Sequence, residues 1–210
     1  MVNHPSETKL LSVEDLPEAA TLLRSGNLVA FPTDTFFALG AILTESAVGN
    51  LFAVKGRMAG NPVPVLLSSE DQVDAVADDV PVEARKLAKE FWPGPLTLVL
   101  PAKLDVPGSV TANTGTVGVR VPLHRIATEL IALVGSPVTG TSANVSGLAP
   151  CKSASEVMAQ LGGKIAAIVD GPCGAHSEPS TVVRFLGDEL NIVRVGAISE
   201  HQLRRVLDGN

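Results

Sequence analysis

The sequence predicts an α/β or α+β protein of one domain, with a central sheet and helices on its faces. The chain has 210 residues, and at roughly 150 residues per domain this length favours one large domain. Apolar residues make up 45% of the chain, which is the usual level for a protein with a buried core. Helical and strand periodicities alternate along the sequence without a linker-like run between them, which is typical of this fold class.

Six segments show helical periodicity. Residues 12–25 carry apolar residues at helical spacing, and Gly26 is suited to end that helix. Residues 81–91 have a proline near the start, and Trp92-Pro93-Gly94-Pro95 follows their end. The predicted helices are 12–25, 47–54, 81–91, 125–134, 153–161 and 198–207.

The strands are predicted from short apolar runs between turn residues. Residues 27–31 form a continuous apolar run that Pro32 ends. Pro64 within the run 63–67 favours an edge strand or an irregular stretch. Residues 181–185 and 190–195 predict a hairpin or two adjacent strands. The predicted strands are 27–31, 63–67, 96–100, 117–121, 136–139, 165–169, 181–185 and 190–195.

Charge and composition argue against several function classes. The chain has 16 Lys and Arg against 22 Asp and Glu, a net charge of −6, which argues against an unspecific nucleic-acid-coating protein but not against a local basic pocket. Aromatic residues make up only 3%, with no Tyr and one Trp, so base-stacking platforms are not expected. Two cysteines, Cys151 and Cys173, are too few for a disulfide scaffold or a four-cysteine zinc site.

Common targeting and nucleotide-binding motifs are missing from the sequence. No apolar run approaches the roughly 18 residues of a membrane span, and the first residues lack the basic and apolar regions of a secretory signal. We therefore expect a cytoplasmic protein with no membrane partner. Walker A, G-x-G-x-x-G and G-x-S-x-G patterns do not occur, and the four histidines have no metal-ligand spacing, so we predict no protein-held metal.

Two of the candidate segments follow predicted elements directly. Thr33, Asp34 and Thr35 come after the strand 27–31, and these side chains suit either recognition of a small polar ligand or a helix cap or Asx turn. Lys55 and Arg57 stand at the end of a helix, where two cations suit either capping or the clamping of phosphate groups. Locally, both interpretations stay open for both segments.

Further candidates lie in or beside later strands. Arg120 stands within the apolar strand 117–121, where an unpaired charge is costly. Because neighbouring charges do not explain it, the arginine either faces solvent or points into a cleft that binds an anion. Small hydroxyl residues fill 139–147 and are suited to presenting N–H and hydroxyl groups to phosphates. Together with Ser180 and Arg194, these segments predict a pocket for a phosphorylated ligand and a small polar one.

Six motifs occur in an order that resembles the YrdC/Sua5 family. They are Phe31-Pro-Thr-Asp-Thr35, Lys55-Gly-Arg57, Trp92-Pro-Gly-Pro-Leu-Thr97, Val117-Gly-Val-Arg-Val-Pro122, Ser142-Ala-Asn144 and Pro179-Ser-Thr-Val-Val183. The resemblance covers residues 12–198 and implies one YrdC-like domain with a twisted mixed sheet and a large concave basic cleft. Residues 1–11 would form an N-terminal extension and 199–210 a C-terminal helix and tail. The length resembles that of the short, YrdC-type members, which lack a further C-terminal domain.

The resemblance also implies an activity. Members are L-threonylcarbamoyladenylate synthases, nucleotidyltransferases that condense L-threonine, bicarbonate and ATP to threonylcarbamoyl-AMP and pyrophosphate. Mg²⁺ would arrive with ATP, held mainly by phosphate oxygens and water. A tRNA threonylcarbamoyl transferase complex downstream would then modify an adenosine of tRNA, and weak binding of tRNA or double-stranded RNA is implied as well.

Roles of individual residues are carried over from the family motifs. Lys55 and Arg57 would be catalytic, neutralising the ATP phosphates. The implied ATP-binding residues are Lys55, Arg57, Asn61, Thr116, Ser142, Asn144 and Arg194. The implied threonine-binding residues are Thr33, Thr35, Arg120 and Ser180.

The sequence departs from the family pattern mainly on the amino-acid side. Phe37 and Ala38 stand where the family usually has Tyr-Gly, and Met58 replaces a usual proline. No histidine occurs near Leu66, where longer members place one that contacts threonine. Two alternatives therefore stay open. One is a divergent, YciO-like member that adenylates another carbamate, and the other is a double-stranded RNA-binding or ribosome-associated module.

Overall fold

The computed structural model describes residues 7–56, 60–174, 178–187 and 189–209. Within these ranges the strands form two mixed sheets. The strands are β1 (Lys9–Leu11), β2 (Val29–Phe31), β3 (Ala38–Gly40), β4 (Val65–Leu66), β5 (Leu96–Pro101), β6 (Thr116–Arg120), β7 (Val138–Thr139), β8 (Thr141–Ser142), β9 (Ala167–Val169), β10 (Thr181–Leu186) and β11 (Glu189–Arg194).

The helices cover the faces of the sheets. They are α1 (Leu16–Arg24), α2 (Glu45–Lys55), α3 (Val82–Phe91), α4 (Gly108–Thr111), α5 (Arg125–Val134), α6 (Ala154–Leu161) and α7 (Glu200–Leu207). Helix α2 shows how local sequence sets these bounds. The Thr44 hydroxyl accepts the N–H of Ala47 at 3.3 Å at its start, and Gly56 ends it with a φ of 60°, a left-handed conformation that glycine adopts without steric cost.

The first sheet has the strand order β1-β9-β2-β3-β8 and is buried on both faces. Val29 and Phe31 of β2 pack in one cluster with residues of α1 and α5. Ala30, between them, packs in a second cluster with residues of α2 and α6. This alternation follows from the two-residue period of a strand, and burial on both faces explains why residues 27–31 are continuously apolar.

The second sheet has the strand order β11-β10-β5-β6-β4-β7, and one of its faces builds a separate core. Leu96, Leu98 and Leu100 of β5 enter this core together with residues of α3 and α7. The period of two places Thr97 on the opposite face. In β6, Val119 enters the core and Arg120 therefore points to the same opposite face as Thr97. This second face of the sheet is the one that faces the cleft.

The chain passes from one sheet to the other at Gly140. Strand β7 forms an edge of the second sheet, and β8, which begins one residue after β7 ends, forms an edge of the first. The Gly140 N–H donates to the carbonyl of Pro64 at 2.7 Å. A Cβ atom at Gly140 would lie 2.2 Å from Cγ of Leu66, so the crossing requires a residue without a side chain.

The predicted fold class is confirmed, with three differences in detail. The expected central sheet is two sheets, because β7 and β8 pair with different partners on either side of Gly140. The helix expected over 12–25 begins at Leu16, after a 3-10 turn over Val13–Asp15. Of the two possibilities for residues 63–67, the irregular stretch is confirmed and the edge strand is not, because only Val65 and Leu66 form β4 and they pair on both sides. The hairpin expected near the end is confirmed in β10 and β11.

The two terminal elements pack onto the rest of the chain. Strand β1 pairs in parallel with β9, and Leu203 of α7 is buried in the core of the second sheet. The domain limits at residues 12 and 198 stay a prediction, with a paired strand and a packed helix lying beyond them. None of the helices in the described ranges combines the length and the apolar character that crossing a bilayer requires.

The Gly140 crossing predicts opposite effects for two glycine-to-alanine substitutions. Gly140→Ala should lower the free energy of unfolding by about 1–3 kcal/mol, because the added methyl overlaps Leu66. Gly49→Ala is the matched control, since it lies within α2 with no atom within 4 Å of its Cβ position, and it should raise the stability by roughly 0.5–1 kcal/mol. Urea denaturation of both variants measures the difference, and equal effects would contradict the crossing.

Candidate active site

A cleft of about 680 Å³ lies between the two sheets. The first sheet and its loops provide Thr33, Thr35 and Ser142, and the second provides Thr97 and Arg120. An apolar wall completes it, formed by Phe36, Phe37, Ala38, Pro62, Pro64 and Leu66. Six of the polar residues that line this cleft are called the polar cluster below: Thr33, Thr35, Thr97, Arg120, Ser180 and Arg194.

The loop after β2 is a tight turn that also lines the cleft. The Thr33 hydroxyl donates to the Phe36 carbonyl at 2.7 Å and lies 3.2 Å from the Thr35 hydroxyl. The Thr35 N–H donates to the Thr33 hydroxyl at 3.2 Å. The side-chain bonds of Thr33 form a turn and place both hydroxyls in the cleft, and recognition of a polar ligand by this segment stays a prediction.

Arg120 is buried and paired with Asp34 across the two sheets. Its side chain is 7% exposed and that of Asp34 is 3% exposed, and the arginine Nη2 donates to Oδ1 of Asp34. The arginine Nε donates to the carbonyl of Gly94 at 2.9 Å. Burial lowers the pKa of Arg120, and the charge of Asp34 acts in the opposite direction. Arg120 therefore lines the cleft and is also paired. Its own strand provides no acidic partner, and the partner, Asp34, comes from the loop after β2.

Ser180 is held between two other members of the polar cluster. Its hydroxyl lies 2.9 Å from that of Thr97. Arg194 donates from Nη2 to the carbonyl and the hydroxyl of Ser180, at 2.8 Å and 3.0 Å. Burial lowers the pKa of Arg194. The sequence did not single out Thr97 as a site residue, although it ends one of the six motifs and stands next to Leu98 in the alternating pattern of β5.

Lys55 holds the segment 142–144, which we call the Ser142 loop. The ammonium group of Lys55 is buried and donates to the carbonyls of Ser142 and Asn144, the latter at 2.7 Å. Asn144 donates its side-chain amide to the carbonyls of Val145 at 2.9 Å and Leu148 at 2.7 Å. Lys55 therefore brings a positive charge to the back of the Ser142 loop while fixing the shape of that loop.

Two of the candidate residues, Asn61 and Thr116, lie apart from the polar cluster, and a third is outside the described residues. Arg57 is outside the described residues, as is Met58 beside it. Asn61 is exposed, next to Pro62 of the apolar wall. Thr116 lies at the opposite end of β6 from Arg120, with its hydroxyl 2.9 Å from that of Thr114. The roles expected of these three residues stay predictions.

Within the described residues, the two cysteines and the acidic side chains form neither a reactive thiolate nor a metal-binding group. Burial raises the pKa of Cys151 to about 11 and also raises the pKa of Cys173, so both thiols are neutral near pH 7. Among the described residues, no group of three or more His, Cys, Asp or Glu side chains is placed to hold a metal ion. The chemistry of the cleft is therefore that of hydroxyls, guanidinium groups and one buried ammonium group.

Comparisons with known sequences agree on one family. The Sua5_yciO_yrdC family model, described as telomere recombination, matches residues 21–196. The threonylcarbamoyl-AMP synthase of Pyrococcus abyssi is 42% identical over 190 residues, which cover 90% of this chain and 56% of that protein. The chain thus spans little more than half the length of this relative. A putative threonylcarbamoyl-AMP synthase of Mycobacterium tuberculosis is 35% identical over 90% of this chain and 87% of its own.

Solved structures are similar over nearly the whole chain. A crystal structure of P. abyssi Sua5 complexed with L-threonine matches with a TM-score of 0.90 and 39% identity, covering 95% of this chain and 60% of that one. E. coli YciO matches with a TM-score of 0.82 over 95% of this chain and 100% of its own. At 23% identity, the likeness to YciO concerns the fold alone.

The bonds of Lys55 predict a structural as well as an electrostatic contribution. Lys55→Met should lower the free energy of unfolding by about 1–3 kcal/mol, because two carbonyls of the Ser142 loop lose their donor. Lys152→Met is the matched control, since Lys152 is exposed and lies 5.5 Å above the Phe36 ring, and it should change stability by less than about 0.5 kcal/mol. Urea titration compares the variants, and an unchanged stability of Lys55→Met would contradict the assignment.

Proposed function

The chain belongs to the Sua5/YciO/YrdC family, and from that premise we propose that it is a threonylcarbamoyl-AMP synthase acting on L-threonine, bicarbonate and ATP. The observation that carries the proposal is the cleft itself. It combines a buried arginine and several hydroxyls with a second region where Lys55 lies behind Ser142. Such a cleft suits a small carboxylate next to a phosphorylated ligand.

In this proposal four members of the polar cluster bind threonine, namely Thr33, Thr35, Arg120 and Ser180. Arg120 is fixed by Asp34 and by the Gly94 carbonyl, so its remaining N–H donors are preorganised for the amino-acid carboxylate. Thr33, Thr35 and Ser180 line the same pocket and offer hydroxyls to the amine and to the threonine side chain. Fixed donors of this kind reduce the entropy lost when the substrate is positioned.

The ATP phosphates would bind toward the Ser142 loop. In the proposal Lys55 and Arg57 neutralise phosphate charge. The part of the chain that the structure describes does not include Arg57. Ser142 and Asn144 would bond the phosphate or ribose, and the Oδ1 atom of Asn144 is buried with no partner among the described residues. Arg194 contacts Ser180 and would act where the two substrates meet. Asn61 and Thr116 complete the proposed ATP site.

The proposed reaction has two steps. The threonine amine first attacks bicarbonate or CO₂, forming a carbamate, and with bicarbonate a water molecule is lost. A carbamate oxygen then attacks the α-phosphorus of ATP, and pyrophosphate leaves with the electron pair of the broken P–O bond. Catalysis of this kind depends on positioning and on neutralising developing phosphate charge. The arginines and the lysine would supply the positive charge that neutralises it. Mg²⁺ would enter as part of the MgATP substrate.

We propose that a separate transferase that modifies tRNA consumes the product and that the protein acts in the cytoplasm. A second candidate substrate class is favoured by the apolar wall. Phe37, Ala38 and Leu66 line the cleft without a polar side-chain group, and this wall also suits an amine other than threonine. That alternative keeps ATP and bicarbonate and changes only the carbamate.

The direct test is pyrophosphate release by the purified protein. Release from ATP should require bicarbonate and L-threonine together, with serine and glycine far weaker because they lack the methyl or the hydroxyl of threonine. ATP binding without threonine-dependent release of pyrophosphate would reject threonine as the substrate. It would favour a divergent family member that adenylates another carbamate. RNA binding that weakens steeply with salt, without any pyrophosphate release, would favour an RNA-binding module instead.

Arg120 gives a sharper test of the amino-acid pocket. Arg120→Lys keeps the charge beside Asp34 but loses the two-pronged geometry of the guanidinium group. The threonine KM should rise about tenfold or more, as expected when a bidentate charged contact is lost, while the ATP KM stays within about twofold. Arg125→Lys, exposed at the start of α5, serves as the control. An unchanged threonine KM in Arg120→Lys would remove Arg120 from the pocket.

A further inference from the structure

The polar cluster contains two guanidinium groups and is backed by one carboxylate. Arg120 pairs with Asp34, whereas Arg194 binds the carbonyl and hydroxyl of Ser180. In the part of the chain that the structure describes, Arg194 has no carboxylate oxygen within 4.0 Å. Burial lowers the pKa of Arg120 most, and the positive charge of Arg194 lowers it further. The two guanidinium groups are therefore close enough to interact electrostatically.

These charges leave the site with a net charge of one positive unit before a ligand binds. Two arginines contribute +2 and Asp34 contributes −1. A carboxylate with one negative charge brings the sum to zero. A doubly charged phosphate leaves an excess negative charge beside the buried carboxylate of Asp34, and uncompensated charge is costly where water is largely excluded.

Asp34 itself is closed off from the cleft. It does not line the cleft, and a Cβ atom at Gly174 would lie 2.6 Å from the Asp34 Cα, so the chain packs tightly over it. Its Oδ1 accepts from Arg120, and its Oδ2 is buried with no partner among the described residues. The carboxylate therefore acts on a ligand through its charge and through Arg120, not by contact.

We propose that Asp34 is the specificity-determining residue that makes this site accept a singly charged carboxylate and reject a doubly charged phosphate. The proposal rests on the proposed function only for the identity of the carboxylate, L-threonine. Selection of this kind matters in a cleft shared with ATP and pyrophosphate, because their phosphate groups would otherwise compete with the amino-acid carboxylate for Arg120. Asp34 both positions Arg120 and sets the charge that the pair presents.

The experiment compares anion binding by the wild-type chain and four variants of it. Isothermal titration calorimetry gives the Kd of L-threonine and of sulfate, which stays doubly charged at every working pH, and the effect of sulfate on threonine binding. Asp34→Asn should tighten sulfate binding by roughly tenfold or more relative to threonine, because it removes one negative charge beside the site. Asp34→Glu keeps the charge, and Asp78→Asn removes one at an exposed position. Both should keep the wild-type ratio.

The double variant Asp34→Asn/Arg120→Gln separates charge from structure. It removes one charge of each sign, so Arg194 again leaves a net charge of +1, and no buried charge loses its partner. Because Arg120 also binds the threonine carboxylate in the proposed function, the readout for this variant is sulfate alone. Its sulfate affinity should not exceed that of wild type, and this variant decides the matter if Asp34→Asn does not fold. A tenfold tightening of sulfate binding in the double variant, or an unchanged ratio of sulfate to threonine affinity in folded Asp34→Asn, would overturn the proposal.

The direct sulfate titration keeps the two proposals distinguishable. If wild-type protein binds no threonine, the proposed amino-acid substrate fails. The effect of Asp34→Asn on sulfate affinity still tests the charge selection on its own. If threonine binds and supports pyrophosphate release while Asp34→Asn leaves sulfate affinity unchanged, the proposed function stands and the role of Asp34 falls.

Discussion

The buried ion pair between Asp34 and Arg120 is the interaction on which the site depends. Asp34 follows β2 of the first sheet and Arg120 ends β6 of the second, so the pair joins the two sheets at the cleft. Each charge alone would be costly to bury, and the attraction between the two charges offsets that desolvation cost. The same ion pair therefore fixes the geometry of the cleft and sets the charge that the cleft offers to a ligand.

Much of the fold follows from sequence pattern, and the exceptions share a physical cause. The helix expected over 125–134 is α5 with the same bounds, because its apolar stripe and Gly135 define it locally. Strands β1, β3 and β8 were not expected. Each has two or three residues, too few to show a period. The division into two sheets depends on long-range pairing around Gly140, which local pattern does not contain.

The candidate site shows the same limit at the level of single residues. Arg120 was identified because a charge in an apolar strand needs a reason, and Asp34 because it follows a strand. The bond that joins them spans 86 residues of sequence, so neither segment reveals it. Thr97 was missed for a related reason, since a threonine in a strand is ordinary until the opposite face proves to be a cleft. The signal that the sequence offers is one acidic residue after an apolar strand and one basic residue within another, each without an oppositely charged partner in its own segment. Pairing these two residues would have predicted the bond.

A crystal structure of this chain with L-threonine is the most direct test of the role of the buried pair. The carboxylate of the amino acid should lie within hydrogen-bond distance of the Arg120 guanidinium group, with that group still bound to Asp34 and to the Gly94 carbonyl. Threonine bound elsewhere in the cleft, or an Arg120 that leaves Asp34 to reach the ligand, would contradict the claim that the buried pair preorganises the amino-acid site.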